Sequence, residues 1–180
     1  MLQLKKISKL LSKGLIPIGT GSESSLFEVS KRLNNSPLSI SLLSSDGIAL
    51  TTVVNSSLLK ELNLSSDSLK IDALIGYNYL NQQLQQFWKN KSQKSDINAE
   101  QQDQGNEQEE QQEEELVSWT VIELENDLKL IIQMLDTFSR NSPPLYIILF
   151  YHKQFPDEIA KLKSDNLKQA LNIGLQGYSS

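Results

Sequence analysis

No cysteine occurs among the 180 residues of this chain. That absence excludes disulfides, thiolate zinc sites, cysteine nucleophiles, palmitoylation and prenylation together, and it fits an intracellular chain. Glycine does not follow Met1, so the N-myristoylation pattern is missing as well. Long apolar runs are also absent. The longest, Leu145 to Tyr151, has seven residues, far short of the roughly 20 that a membrane-spanning helix needs, and no apolar stretch of the secretory-signal type opens the chain. A membrane address is therefore expected to be borrowed from a partner.

Chemistry-bearing patterns are equally scarce. The chain has one histidine, His152, and acid–base or metal work at it needs partners that the sequence does not place. No Walker-type phosphate loop, Gly-x-Ser-x-Gly elbow or histidine-rich metal spacing is present. Catalysis requires preorganised groups, and the densest carboxylates fall in a segment with no means of fixing them. The expectation is a non-enzyme with no catalytic residues, no cofactor and no metal.

The formal charge of −5 hides a strong asymmetry. Glu100, Asp103, Glu107, Glu109, Glu110, Glu113, Glu114 and Glu115 carry −8 with no Lys or Arg among them, so taking −8 from −5 leaves the remainder near +3. Lys5, Lys6, Lys9 and Lys13 are the one obvious basic cluster, and no aromatic stacking pattern accompanies them, so no nucleic-acid partner is expected.

What is present is a regular succession of elements. Leu4, Ile7, Leu10 and Leu11 recur at helical spacing, and Lys13-Gly14 reads as a basic last turn with a left-handed cap. A basic amphipathic helix also suits an anionic membrane surface, but at about three turns it is read here as a domain helix with solvated lysines. A Gly/Ser-rich loop is expected over 15–37, ended by Pro37, with Leu26, Phe27, Val29 and Leu33 able to form a helical turn inside it. Leu38 to Leu43 and Ile48 to Val54 read as two strands, joined by Ser44-Ser45-Asp46-Gly47, where Asp-Gly supplies the positive φ values of a tight hairpin. Ser65-Ser66-Asp67 offers N-caps for the longest helix, whose apolar residues Leu74, Tyr77, Leu80, Leu84, Phe87 and Trp88 repeat every three or four positions. Its aromatic end, Phe87-Trp88, suits either a core margin or a partner interface.

From 90 to 115 the chain turns to Gln, Glu, Asp, Asn and Ser with Ile97 as the one large aliphatic, too little apolar area to offset the entropy of ordering. It is read as an acidic, disordered insert within a single domain spanning 1–180. A helix there is the alternative, since Glu and Gln are good helix formers, but no apolar stripe supports it. Leu116 to Ile122 is β-branched and aromatic, Glu125-Asn126-Asp127 reads as a turn, and Leu128 to Leu135 completes a second hairpin. After Pro143-Pro144, the unbroken apolar run Leu145 to Tyr151 implies a central strand covered on both faces. Pro156, Asp157 and Glu158 then open a last helix in which Ile159, Leu162, Leu167, Ala170 and Leu171 share a face, ending at Gly174 or Gly177.

Helix, two strands, helix, three strands, helix is the element order of a Roadblock domain. The chain resembles that family in Met1-Leu2 with Lys5, Ile7, Leu10 and Leu11, in Ser44 to Leu50, and in Leu145 to Phe150 followed by Phe155-Pro156 and the last helix. It is most similar to the Roadblock-domain subunit of the fungal vacuolar EGO complex, the counterpart of an animal Ragulator subunit, in which an acidic insert also follows a tryptophan. The long loop and the size of the Gln-rich insert depart from that pattern.

The resemblance implies an α/β, Roadblock/profilin-like fold: a five-stranded, mainly antiparallel sheet with one long helix on one face and two helices on the other. It implies a scaffold for TOR signalling and amino-acid sensing, with another Roadblock-type subunit (homo- or heterodimeric), a lipidated tethering subunit and Rag-type GTPases as partners. Location would be the cytoplasmic face of the vacuolar or lysosomal membrane, held only indirectly. The strand Leu116 to Leu124 would lie at the sheet edge facing a partner's equivalent strand, with the long helices side by side. Leu84, Phe87, Trp88, Val117, Trp119, Val121 and Glu123 are the expected interface residues. A dynein light-chain-like adaptor and a longin-like trafficking subunit are the alternatives.

Overall fold

The computed structural model describes residues 4–18, 33–95, 119–135 and 143–175. The elements are α1 (Leu4–Gly14), β1 (Ser39–Leu43), β2 (Ala49–Val54), α2 (Ser56–Glu61), α3 (Ser66–Ser95), β3 (Trp119–Glu123), β4 (Leu128–Met134), β5 (Tyr146–His152) and α4 (Asp157–Leu175). The strands form one antiparallel sheet in the order β2-β1-β5-β4-β3. This is the expected Roadblock-type α/β architecture, with β5 in the middle and β2 and β3 at the edges.

β5 explains why the sheet is covered twice. All seven of its residues are buried, and successive side chains of a strand point to opposite faces. Tyr146, Ile148 and Phe150 therefore join Leu58, Leu69, Tyr77, Leu80 and Leu130 beneath α2 and α3. Ile147, Leu149 and Tyr151 join Ile7, Leu11, Phe155, Leu167 and Leu171 beneath α1 and α4. The long helix thus occupies one face and two helices the other, as expected. The short α2 is an addition on the long-helix face, entered through Asn55, whose side chain accepts from the Leu58 amide.

Two turns differ in chemistry. In the β1–β2 hairpin only Gly47 has a positive φ, 76°. Ser44 N donates to Ile48 O and Gly47 N to Ser44 O, so the connection is a three-residue loop rather than a two-residue primed turn. The β3–β4 hairpin instead places both Asn126 (57°) and Asp127 (59°) in the left-handed region, which short polar side chains tolerate.

Three expectations need correction. Gly14 is not a left-handed cap: it ends α1 without a positive φ and is buried. A Cβ there would lie 2.6 Å from Ile40 Cδ1 and 2.8 Å from Leu167 Cδ1, so any larger residue would have to displace the ends of these two core side chains, on β1 and α4. In α4 the inward row is Ala160, Ser164, Leu167, Leu171 and Leu175, while Leu162 is exposed. Five and nine residues separate Leu162 from Leu167 and Leu171, offsets that fall outside the three- and four-residue spacing of one helix face. Leu74, finally, is exposed rather than part of the inward row of α3.

Helix α3 continues to Ser95, into the stretch read as the start of the acidic insert. The rest of that insert, and residues 19–32 of the Gly/Ser-rich loop, lie outside the described residues. None of the described helices is long and apolar enough to cross a membrane.

Candidate partner interface

β3 is an edge strand, paired with β4 from Trp119↔Gln133 to Glu123↔Lys129 and, among the described residues, with nothing on its other side. An unpaired row of backbone N–H and C=O groups is a template for another strand. Charged residues and prolines ordinarily blunt such edges, and within Trp119–Glu123 the one charge is Glu123.

The side chains of β3 are divided between the two cores. Trp119 and Val121 pack toward the α1 and α4 side, and Ile122 toward α3. A polar ring fixes Trp119 from behind. Its pairing partner Gln133 accepts from Ser164 Oγ (2.7 Å) and donates to Asp165 Oδ1 (2.8 Å); Asp165 pairs with Lys161, whose ammonium lies 4.7 Å from the centre of the Trp119 ring. Gln133 and Ser164 are buried, so these bonds satisfy groups that would otherwise be costly. At the other end of the strand, Glu123 pairs with Lys129 at 3.3 Å, and Lys129 also reaches Asp157 Oδ2 at 3.0 Å. The bond to Asp157 leads in holding the Lys129 ammonium above its usual range. Tyr151 donates to Asp157 Oδ1 (3.1 Å), and burial, ahead of the neighbouring carboxylates, pushes its phenol far up. The edge strand is thus clamped to α4 at both ends.

Helix α3 crosses β4 and β3 on the other face. Tyr77 marks one flank: its hydroxyl donates to Ser45 O in the β1–β2 hairpin, and its ring stands edge-on to Tyr146 with centroids 5.2 Å apart. Asp72 marks the opposite flank. Burial, reinforced by the charge of Glu125 in the β3–β4 turn, holds its carboxyl above the usual carboxylate range. Ile75 and Tyr79 follow Asp72 at three and seven residues and share its side of the helix, and Ile71, four residues before Ile75, extends their row onto the outward face. They are solvent-exposed: Ile71 62%, Ile75 52%, Tyr79 47%. Leu74, also exposed at 45%, lies beside them on the outward side. With Leu69, Ala73, Tyr77 and Leu80 buried beneath, the first half of α3 carries large apolar side chains on its outward as well as its inward side, interspersed with Lys70, Asp72 and Asn78.

The seven expected interface residues are distributed unevenly. Leu84 is partly buried against the chain's own core, and Phe87 is half-buried in the following turn. Trp119 and Val121 serve the core on the α4 side while remaining half-exposed at the edge, and the Glu123 side chain is 79% exposed. Val117 and the Trp88 side chain lie outside the described residues. The row that reasoning from sequence missed is Ile71, Ile75, Tyr79, legible as a second four-residue repeat beside the inward one.

Among the described residues no group of three or more His, Cys, Asp or Glu could hold a metal. His152 is buried at the end of β5, where its Nδ1 accepts from the Gln154 amide (3.2 Å), and burial pushes its imidazole below the usual range. A hollow at the β3–β4 turn, lined by Glu123, Asp127, Lys129 and Lys153 among others, has its charges already paired with one another. The β3 edge and the exposed apolar residues of α3 are the described features left without a covering element.

Comparison with solved structures supports the same architecture. The chain is similar to a structure described as MglB with tetrameric arrangement, at 11% identity and TM-score 0.51, covering 94% of this chain and 87% of that one. It is similar to the gliding protein MglB from Thermus thermophilus at 12% identity and TM-score 0.50, with the same coverage. A Roadblock/LC7 domain from Streptomyces avermitilis aligns at 11% identity and TM-score 0.49, over 93% of this chain and 96% of that one. No curated protein matches the chain. The family model described as Protein SLM4 matches residues 1–180.

Proposed function

The chain belongs to the family described as Protein SLM4, and from that premise we propose that it is a non-catalytic scaffold subunit of an EGO/Ragulator-like complex. In this reading it pairs with another Roadblock-type subunit, joins a lipidated tether and supports Rag-type GTPases in TOR signalling at the vacuolar or lysosomal membrane. The coarser part, a small adaptor of Roadblock fold, follows from family and architecture. The complex, the GTPases and the location come from the resemblance described above.

One observation carries the pairing: the row Ile71, Ile75, Tyr79 is exposed on α3, the helix that packs over β4 and β3, and the outer edge of β3 is free among the described residues. A partner presenting the same two elements would extend the sheet through backbone bonds and cover the helix flank in one step. Adjoining exposed aliphatic side chains mark an interaction surface rather than a solvated one, and Tyr79 adds a residue type enriched in binding hot spots.

The test is capture of the full chain from its own cells followed by mass spectrometry. Stoichiometric recovery of a Roadblock-type subunit, a lipidated tether and Rag-type GTPases supports the proposal. Recovery of dynein intermediate chain, or of vesicle-tethering subunits in place of the GTPases, replaces it with one of the two adaptor alternatives.

A further inference from the structure

We propose that the outward side of α1 is a contact surface for anionic phospholipid. This goes beyond the scaffold reading and does not depend on it. Ile7, Leu11 and Gly14 point into the core, which leaves Lys5, Lys9 and Lys13, one every four residues, with Lys6 beside them, on the opposite side of the helix. All four are exposed, and among the described residues none has an ion pair with an acidic side chain. A row of four cations with no carboxylate in the helix is a concentrated positive strip on a chain whose overall charge is −5.

The chemistry of the strip selects its partner. Lysine is depleted from protein–protein interfaces, where arginine is enriched, and the chain's two arginines, Arg32 and Arg140, fall outside the described residues. Compact ammonium groups on flexible stems instead match a fluid array of lipid phosphates and carboxylates. An exposed aliphatic, Ile16, follows the strip at its C-terminal end. Lys163 of α4 donates to the carbonyls of Gly14 (3.0 Å) and Ile16 (2.8 Å). That fixes the segment after α1 against α4, with the exposed Ile16 three residues beyond Lys13.

Because the apolar side of α1 is sealed in the core, the helix cannot insert as a free amphipathic helix does. Contact is therefore peripheral, electrostatic and salt-sensitive, and the strip sets which side of the molecule faces the lipid.

The experiment is sedimentation of the purified full chain with vesicles of phosphatidylcholine alone and with a two-to-one mixture of phosphatidylcholine and phosphatidylserine. The expected result is binding to the mixed vesicles only, released by added salt. In the triple variant Lys5→Gln, Lys9→Gln, Lys13→Gln, affinity should fall by about a hundredfold, taking about fivefold per lysine. Circular dichroism should be unchanged, because all three positions are exposed. Equal binding of variant and parent, strong binding to phosphatidylcholine alone, or no binding to the mixed vesicles overturns the proposal. Absence of lipid binding together with lysine-dependent retention on immobilised polyglutamate would assign the strip to an acidic protein partner instead.

Discussion

Helices α3 and α4 cover opposite faces of one sheet, and they are finished to different degrees. In α4 the inward row of Ala160, Ser164, Leu167, Leu171 and Leu175 is buried, and the outward side carries only the separated Leu162 and Ile173. Isolated aliphatic side chains of that kind are ordinary on a protein surface. In α3 the inward row is equally complete, yet Ile71, Leu74, Ile75 and Tyr79 form a contiguous outward surface within two turns of helix. Of the two helices, α3 is the one with large exposed apolar residues in adjoining turns, and it packs over β4 and β3, whose outer edge is unpaired among the described residues.

The largest expected effects should not distinguish the two helices at all. Leu80→Ala in α3 and Leu171→Ala in α4 each leave a cavity in a sealed core, and each should lower unfolding free energy by about 2–5 kcal/mol, measured by chemical denaturation. If Leu80→Ala were far milder than Leu171→Ala, the inward row of α3 would be less well packed than described.

The outward rows are where the helices should part. Ile75→Arg should weaken association by about 2 kcal/mol or more, the scale of a hot-spot loss, with an unchanged circular dichroism spectrum because the position is exposed. Its counterpart in α4, Leu162→Arg, should change stability by no more than about 0.5 kcal/mol and leave association untouched. Equal effects in light scattering would dissolve the distinction between the helices.

Electrostatics sharpen the same contrast more gently. Burial with Glu125 alongside holds the Asp72 carboxyl above its usual range, so its charged form is disfavoured in the folded chain. Asp72→Asn should therefore be neutral to slightly stabilising at pH 7 in thermal melts. For His152 the sign runs the other way with pH. Burial depresses its folded-state protonation, whereas an unfolded imidazole takes up a proton near about pH 6.5. Its contribution to stability is present above that pH and is lost as pH falls through and below it. His152→Gln should flatten that part of the stability profile, read as denaturation midpoints across the range.

Much of this organisation is visible in the residues themselves, for identifiable reasons. β5 is legible because a strand buried on both faces must be apolar throughout, and Tyr146 to Tyr151 is. The positive-φ pair at Asn126 and Asp127 is legible because few residue types tolerate that backbone. Less legible are features decided by tertiary contact. Gly14 reads as a cap but serves close packing against Ile40 and Leu167, which no local pattern reveals. The short α2 lacks enough residues to show a period. Trp119 and Val121 alternate correctly for a strand, yet which face each takes depends on which helix lies where. The exposed row of α3 has plain four-residue spacing, but two interleaved apolar rows on one helix leave inward and outward undecided until the sheet is placed beneath it.

The most direct test joins the two halves of the proposed surface: amide hydrogen exchange along β3, compared between the purified wild-type complex and Ile75→Arg. If α3 and β3 are covered together, the backbone amides of Trp119–Glu123 that do not bond to β4 should be protected in the complex. A substitution on the helix flank should release them, while the β4 and β5 amides stay protected in both. If those edge amides exchange equally fast in wild type and variant, β3 is not a pairing strand, and the account of α3 as a helix completed by a partner is contradicted.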